Sequence, residues 1–407
     1  MKIYTLTTAQ SILDKRSSHK DVKSPKKVVM LLSNPFSPDP RVMKEAKSLS
    51  MNKYTITIIA WDREGKFKDV ASEEHYKVFH LGPRLPKRFH DLPMIFQAFI
   101  KGICLILYSI NAFFYALKER GDAYHCHDFD TLHIGLKLKF ITAKPLIYDS
   151  HEDYPSLMRD RLGERAGSLF RFLEKMMLSY VDGIIADNDA RARRFREHRN
   201  KVSVVMNCID LEWFESNLNK IKLDFDKPVI LYIGGLIQNR GLEEFLQSKK
   251  YVKSNATYLI VGDGFLLDKL KMTAEKLNLK DVVFTGYVHY DLLPSYIRDA
   301  DLGVILNKPS YNNKHSSPNK LFEYLAGGLP VIVSNLPYLE RFIKEQGCGL
   351  TVNPDNPKEI AGIIDKLLSN KELMREMSEN GKKAVEEGYN WNNQVKNLLE
   401  LYDRILD

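Results

Sequence analysis

The sequence predicts an α/β protein built from two Rossmann-like, doubly wound parallel-sheet domains that face a central cleft. Short β-branched runs alternate with helix-patterned segments along the chain, as in a parallel sheet covered on both faces. The alternation breaks at an irregular, charged stretch from Asn207 to Lys227 and then restarts. A chain of 407 residues is also too long for one ordinary core.

In the first half, residues 26–34 (KKVVMLLSN) read as a buried strand, and a proline-broken loop leads from it into a helix opening near Arg41. Further strands are expected at 54–61, 76–82, 123–128, 145–152, 181–188 and 201–207. In the second half they recur at 227–235, 256–264, 282–288, 300–307, 329–335 and 348–353, with helices such as GLEEFLQSKKYV between them. The last segment, 391–406, carries apolar residues at helical spacing and suits either domain. The division is therefore a polar lead-in (1–25), a first domain (26–207), a second (208–388) and a closing helix (389–407). Ligands of open parallel sheets bind beyond the carboxyl ends of the strands, so the expected site is the cleft.

Composition narrows the partners. The net charge of +8 favours anions: nucleic acid, an anionic membrane face or a phosphorylated substrate. Four scattered cysteines with no CxxC spacing argue against zinc and against a disulfide framework, and fit a reducing, cytoplasmic compartment. The N-terminus lacks the apolar run of a signal peptide. From Leu92 to Leu117 the chain is strongly apolar, but Lys101 interrupts it, leaving less than the ~20 residues a spanning helix needs. The leading expectation is a mostly buried helix. The alternative is an interfacial helix on anionic lipid at the inner face of the cell membrane, because Arg84, Lys87 and Arg88 lie just upstream.

The most informative run is His315-Ser316-Ser317-Pro318-Asn319-Lys320, continuing through Glu323 to the strand Leu329–Ile332. Ser317 suits an N-cap and Pro318 a first helical position. The free amides and positive dipole end of that helix make an anion site. Lys320 and Glu323 fall on one face, where a cation can neutralise phosphate and a carboxylate can accept two ribose hydroxyls.

This run resembles the donor-binding signature of retaining GT-B glycosyltransferases, notably glycosyltransferase family four. By that resemblance, Glu323 matches the ribose-binding glutamate, while His315 stands where the family has its first glutamate. The chain keeps the variant pattern of Ser316, Pro318, Lys320 and Glu323. Gly234-Gly235 through Arg240-Gly241 resembles the element whose two cations hold the donor diphosphate. Arg240 takes the lysine's place, and Gly235 stands where an arginine would be. The resemblance implies that the loops at Gly262-Asp263-Gly264 and Tyr287-Val288 border the nucleoside. Asn34–Arg41 is similar to the family's Asp-Pro-Arg-Val start, which would place Arg41 on the acceptor side. Asn207–Asp210 resembles its interdomain element, implying a hinge, and the closing helix should cross back to the first domain.

Two strand ends of the first half complete the expected cleft. His125, His127 and Asp128 close one strand, with the two histidines on one face. Metal binding there lacks a third ligand of suitable spacing, so His127 and Asp128 are expected to line the acceptor side. Asp149-Ser150-His151-Glu152 closes the next strand, and His151 is the better catalytic candidate. Arg191–Arg196 is expected to be a solvated face of a surface helix, with no nucleic-acid module around it.

The implied activity is transfer of a hexose-type sugar, with retention, from a nucleotide diphosphate to a glycan or lipid-linked acceptor. It needs no cofactor beyond the nucleotide sugar and no metal, with Arg240, Lys320 and the helix start at Ser317 holding the leaving diphosphate. The missing glutamate and arginine leave two alternatives: a catalytically silent scaffold, or a GT-B epimerase. A dinucleotide oxidoreductase is disfavoured because no Gly-x-Gly-x-x-Gly follows the first strand.

Overall fold

A computed structural model describes residues 25–407 apart from Pro38, Lys87, Arg88, His90, Asp91 and Asp407. The lead-in through residue 24, and two of the three basic residues ahead of the apolar segment, lie outside the described residues.

The first lobe holds an eight-stranded sheet: β1 (Lys26–Leu32), β2 (Tyr54–Trp61), β3 (Val70–Ser72), β4 (Tyr76–Leu81), β5 (Ala123–His127), β6 (Leu146–Ser150), β7 (Gly183–Ala186) and β8 (Val202–Val204). Their order is β3-β4-β2-β1-β5-β6-β7-β8. Only β3, antiparallel to β4, departs from parallel pairing. It is a three-residue edge strand with too little apolar content to be legible in the sequence. The second lobe holds β9 (Val229–Ile233), β10 (Thr257–Val261), β11 (Val282–Gly286), β12 (Leu302–Ile305), β13 (Val331–Ser334) and β14 (Gly349–Val352), in the order β11-β10-β9-β12-β13-β14. The central strands are buried from end to end, which is why they read as unbroken apolar runs. Strand order reverses between β1 and β5 and between β9 and β12. At those points neighbouring crossovers run to opposite faces and open a crevice at the strand ends.

The chain passes between the lobes twice, side by side. Ile209 bridges to Asn390, and the Trp391 amide donates to the Ile209 carbonyl at 2.7 Å. The helix Trp391–Leu406 then packs on the first lobe. Leu398, Leu401 and Tyr402 are fully buried in one cluster with Val28, Ile58 and Ile147. The Trp391 indole donates to Ser48 Oγ at 2.8 Å, and Gly183 leaves the space that Leu401 and Ile405 approach.

The apolar segment forms the helix Met94–Glu119, but the expectation of a mostly buried helix is corrected. Its inward face is Cys104, Tyr108, Ala112 and Ala116, spaced four apart and packed against the sheet. The outward face leaves Phe99, Ile103, Ile106, Ile110 and Phe114 exposed. Small residues inward let the helix approach closely, so the large apolar side chains are left outside. By length and composition Phe99–Glu119 would suffice to cross a membrane, yet the Tyr108 hydroxyl is bonded to the Leu32 carbonyl of β1.

Leu401→Ala should remove a fully buried anchor of the crossing helix and lower stability by about 2–5 kcal/mol. The urea midpoint of the first-lobe transition should fall accordingly; an unchanged midpoint would mean that the helix does not stabilise that lobe.

Candidate active site

Between the lobes, at the carboxyl ends of both sheets, lies a cavity of about 430 Å³. The second lobe supplies Gly234, Gly235, Arg240, Ser316, Ser317, Asn319, Lys320 and Glu323 to its wall. Gly234 has φ +138°, a backbone conformation that favours glycine, and a Cβ there would stand 2.7 Å from Lys320 Nζ and shift the ammonium. Lys320 Nζ lies 4.2 Å from the centroid of the Tyr232 ring. Arg240 Nη1 donates to Asn307 Oδ1 at 3.0 Å at the end of β12. Burial, and then repulsion from Arg240, push the Lys320 ammonium down to about 7. Glu323 accepts from the Tyr290 hydroxyl at 3.1 Å, and burial raises its carboxyl above the ordinary range.

The helix carrying these residues begins at Asn319, not at Ser317. Pro318 sits at the cap position with extended backbone (φ −71°, ψ 131°) and no side-chain cap. Ser317 Oγ instead bonds the Tyr338 hydroxyl at 3.1 Å. The cap fails because Pro318, kept in extended conformation, delays the helix by one residue. The anion-facing amides are therefore those from Asn319 onward.

On the first lobe, the Arg41 fork grips Asp149, with Nε to Oδ2 at 2.9 Å and Nη2 to Oδ1 at 2.8 Å. Nη1 reaches the Val205 carbonyl at 3.0 Å, and Glu45 lies 3.1 Å away. Arg41 borders the cavity but is 3% exposed, so its expected role toward an acceptor is corrected to one of positioning. Asp149 Oδ2 stands 3.4 Å from His151 Nδ1, and Asp128 Oδ2 stands 2.8 Å from His151 Nε2. Burial alone would lower the imidazole pKa, but Asp128 and Asp149 outweigh it and hold the group well above its ordinary value. His151 therefore borders the cavity as a cation whose two nitrogens both face carboxylates. It offers positive charge more than a free donor or a base.

His127 and Asp128 do not line the cavity, which corrects their expected place. Asp128, at φ +61°, accepts from the Glu152 amide at 3.0 Å and orients His151 from behind. His127 is buried, stacked on His125 at 4.3 Å. The fold also brings Glu45 and Asp149 to these histidines, with all four donor atoms within 4.8 Å of one another. Ligands that the sequence spacing lacked are thus supplied by other elements. Arg41 already places a positive charge on Asp149 and Glu45, so a metal ion there would be a second cation beside a fixed one. Burial, reinforced by the Asp149 charge, lifts Glu45 to about 7.

The remaining expected residues fall outside the cavity. Gly262 and Gly264 lie behind the loop of Gly234 and Leu236, where an added Cβ would meet backbone at 2.0 and 2.5 Å. They set how closely the loops approach. Tyr287 is exposed past β11, and Val288 packs against the second-lobe core. His315 lines a neighbouring crevice instead, and its carbonyl accepts from Asn188 Nδ2 at 2.9 Å.

Sequence reading missed Asp39, Glu152, Asp187, Arg191 and Leu293 on the wall. Glu152 and Asp187 were legible as carboxylates at strand ends; Leu293 had no signal. The view of Arg191–Arg196 as a solvated helix face is corrected at Arg191 and Arg194, while Arg193 and Arg196 are exposed. The α-helix is only Asp189–Ala192, and a 3-10 helix, Arg193–Lys201, follows it. Arg191 is buried between the lobes, bonded to the His151 carbonyl and to Asn312 Oδ1, and Arg194 pairs with Asp153 and Glu174.

Residues 41–213 match the family described as Glycosyltransferase Family 4, and residues 214–384 match Glycosyl transferases group 1. An uncharacterized glycosyltransferase of Methanocaldococcus jannaschii is 29% identical over 307 residues, covering 70% of this chain and 75% of that protein. The chain is also similar to the UDP-Gal:alpha-D-GlcNAc-diphosphoundecaprenol alpha-1,3-galactosyltransferase of Escherichia coli, at 22% identity over 70% of this chain and 76% of that one. Among solved structures, Anabaena HepE in complex with UDP-glucose superposes with a TM-score of 0.69 at 14% identity, covering 93% of this chain and 99% of the other.

The depressed Lys320 gives a signed expectation. A bound diphosphate raises the Lys320 pKa above its free value of about 7, so the complex holds more protons than the free protein. Affinity for a nucleoside diphosphate should weaken as the pH rises above 7, by up to about tenfold per pH unit. Calorimetry at pH 8 in two buffers of different ionisation enthalpy should read proton uptake, absent in Lys320→Met. Identical heats for both proteins would exclude the linkage.

Proposed function

We propose that this chain, a GT-B glycosyltransferase of the group 1 type resembling family four, transfers a hexose-type sugar, with retention, from a nucleotide diphosphate to a glycan or lipid-linked acceptor. One observation carries this reading. Arg240, Lys320 and the helix amides at Asn319 converge beside Gly234-Gly235, and the charged His151 faces them from the other lobe. That geometry suits a pyrophosphate in the second lobe and a sugar between the lobes. UDP-glucose in the structural neighbour HepE supports the donor class.

In the proposed reaction, the bond from the anomeric carbon to the diphosphate breaks and its electron pair leaves with the phosphate oxygen. Arg240, Lys320 and the amides stabilise that growing negative charge. The acceptor oxygen bonds to the same face, and its proton passes to the departing phosphate. No carboxylate nucleophile is required. Glu323, its carboxylate held by Tyr290, suits the ribose hydroxyls. His151 keeps positive charge beside the sugar, and Asp128 and Asp149 maintain that charge. The fixed cations take the part a divalent ion plays elsewhere, so transfer is proposed to be metal-independent.

We place the protein at the cytoplasmic face of a membrane. Support comes from the outward Phe99, Ile103, Ile106, Ile110 and Phe114, since an amphipathic surface of this kind buries its apolar side in the headgroup boundary.

Screening nucleotide sugars in the presence of a chelator tests the reaction. Transfer should persist, His151→Phe should lower kcat by about 10²–10³ while leaving UDP affinity within a few fold, and the anomeric configuration of the product should be retained. Inversion, or strict Mn²⁺ dependence, would overturn the mechanism. Flotation with anionic vesicles tests the membrane face: Ile106→Asp with Ile110→Asp should abolish co-flotation of a protein that otherwise floats.

A further inference from the structure

We propose that a basic crevice beside the active cavity is a second anion site, which takes a phosphate or diphosphate group carried by the acceptor. The crevice, about 520 Å³, lies between the lobes and is lined by Arg159, Arg171 and Arg193 from the first and by Lys314 and Arg341 from the second. Asp153 is the one carboxylate on its described wall, and Arg194 already holds it at 2.9 Å. Arg159 pairs with Glu164, and Arg341 lies 3.9 Å from Glu345. Among the described residues, Arg171, Arg193 and Lys314 have no carboxylate within 4.0 Å. Cations converging on one hollow repel each other unless an anion lies between them. Guanidinium forks match phosphate oxygens in particular, and a single carboxylate would leave most of the charge unbalanced.

The position of the crevice points to the acceptor. Arg191 lines both the crevice and the active cavity. Ser317, on the wall of the cavity, is bonded to Tyr338, on the wall of the crevice. The donor diphosphate has its own cations, Arg240 and Lys320, on the cavity side. A ligand anchored in the crevice therefore approaches the transfer point from beyond the donor. The helix Glu164–Leu178, which supplies Arg171, leaves Leu169, Phe172 and Met176 exposed, an apolar surface beside the phosphate site that suits a lipid-borne anion.

The inference rests on the transferase reading, and calorimetry with inorganic pyrophosphate on the full chain separates the two. The wild type should bind two equivalents. The triple variant Arg171→Ala, Arg193→Ala, Lys314→Ala should lose one of them or weaken it at least tenfold. Its melting temperature should be unchanged, because all three side chains are exposed and lack ion pairs. Lys320→Met should remove the other equivalent and spare this one. Two wild-type sites in the triple variant, or a single wild-type site that Lys320→Met abolishes, would overturn the proposal. A single site abolished by the triple variant alone would strike the donor assignment and leave the crevice standing. Pull-down on phosphatidylcholine vesicles with and without a polyprenyl diphosphate then distinguishes the sources. Enrichment of the wild type over the triple variant marks a lipid-borne phosphate, and equal pull-down with pyrophosphate binding intact marks a soluble one.

Discussion

The first-lobe face of the cleft depends on one buried interaction, the bidentate grip of Arg41 on Asp149. Arg41 stands in the first turn of the helix after β1, Asp149 lies in β6, and the same guanidinium reaches the carbonyl of Val205 just past β8. Three segments that are distant in sequence are thereby held together. Asp149 also faces His127 and His151. Burial would raise its pKa, yet Arg41 and the two neighbouring histidines hold it well below the carboxylate range. A buried ion pair of this kind adds little net stability over an apolar replacement, whereas loss of one partner strands the other charge at a cost of about 3–5 kcal/mol. Its value here is positional: it keeps a carboxylate ionised behind His151, and so keeps His151 charged.

The second lobe solves the opposite problem. Lys320 and Arg240 are brought together, and Glu323, which only partly offsets their repulsion, is bonded to Tyr290. The free protein thus carries electrostatic repulsion that an anionic ligand relieves. The cation is pre-positioned by Tyr232 and by the missing side chain at Gly234, so little reorganisation accompanies binding. The two lobes are joined by two adjacent crossings, at Ile209 and at Asn390–Trp391. Side-chain bonds such as those of Asn312 to Glu152 and Arg191 also span the lobes, and the crossing helix Trp391–Leu406 is anchored firmly in the first.

The outer surface continues the same logic. The helix Met94–Glu119 turns small residues to the sheet and large ones outward, while the helix Glu164–Leu178 sets Arg171 on the crevice and Phe172 outside. The apolar helix faces thus lie on the first lobe, and the basic crevice and the transfer cavity lie between the two lobes. The proposed acceptor, with a lipid end and a phosphate group, would meet them in that order.

Local physics made much of this legible in the sequence. Strands buried on both faces must be apolar throughout, so all but the short edge strand β3 could be read directly. Glycine beside a strand end marks close backbone approach, as Gly234 and Gly262 show. Lys320 and Glu323, three residues apart on a helix, had to share a face. Tertiary contacts decided what no spacing encodes. Arg41 read as an acceptor-side residue and the Arg191 run as surface charge because an arginine's neighbours in sequence do not disclose the carboxylates, Asp149 and Asp187, that bury it. His127 turned inward because Glu45 and Asp149 arrive from other elements. Periodicity reports which side of an element is apolar; only the packed structure reports what stands opposite a charge, and in this protein that decides which cations remain free for a ligand.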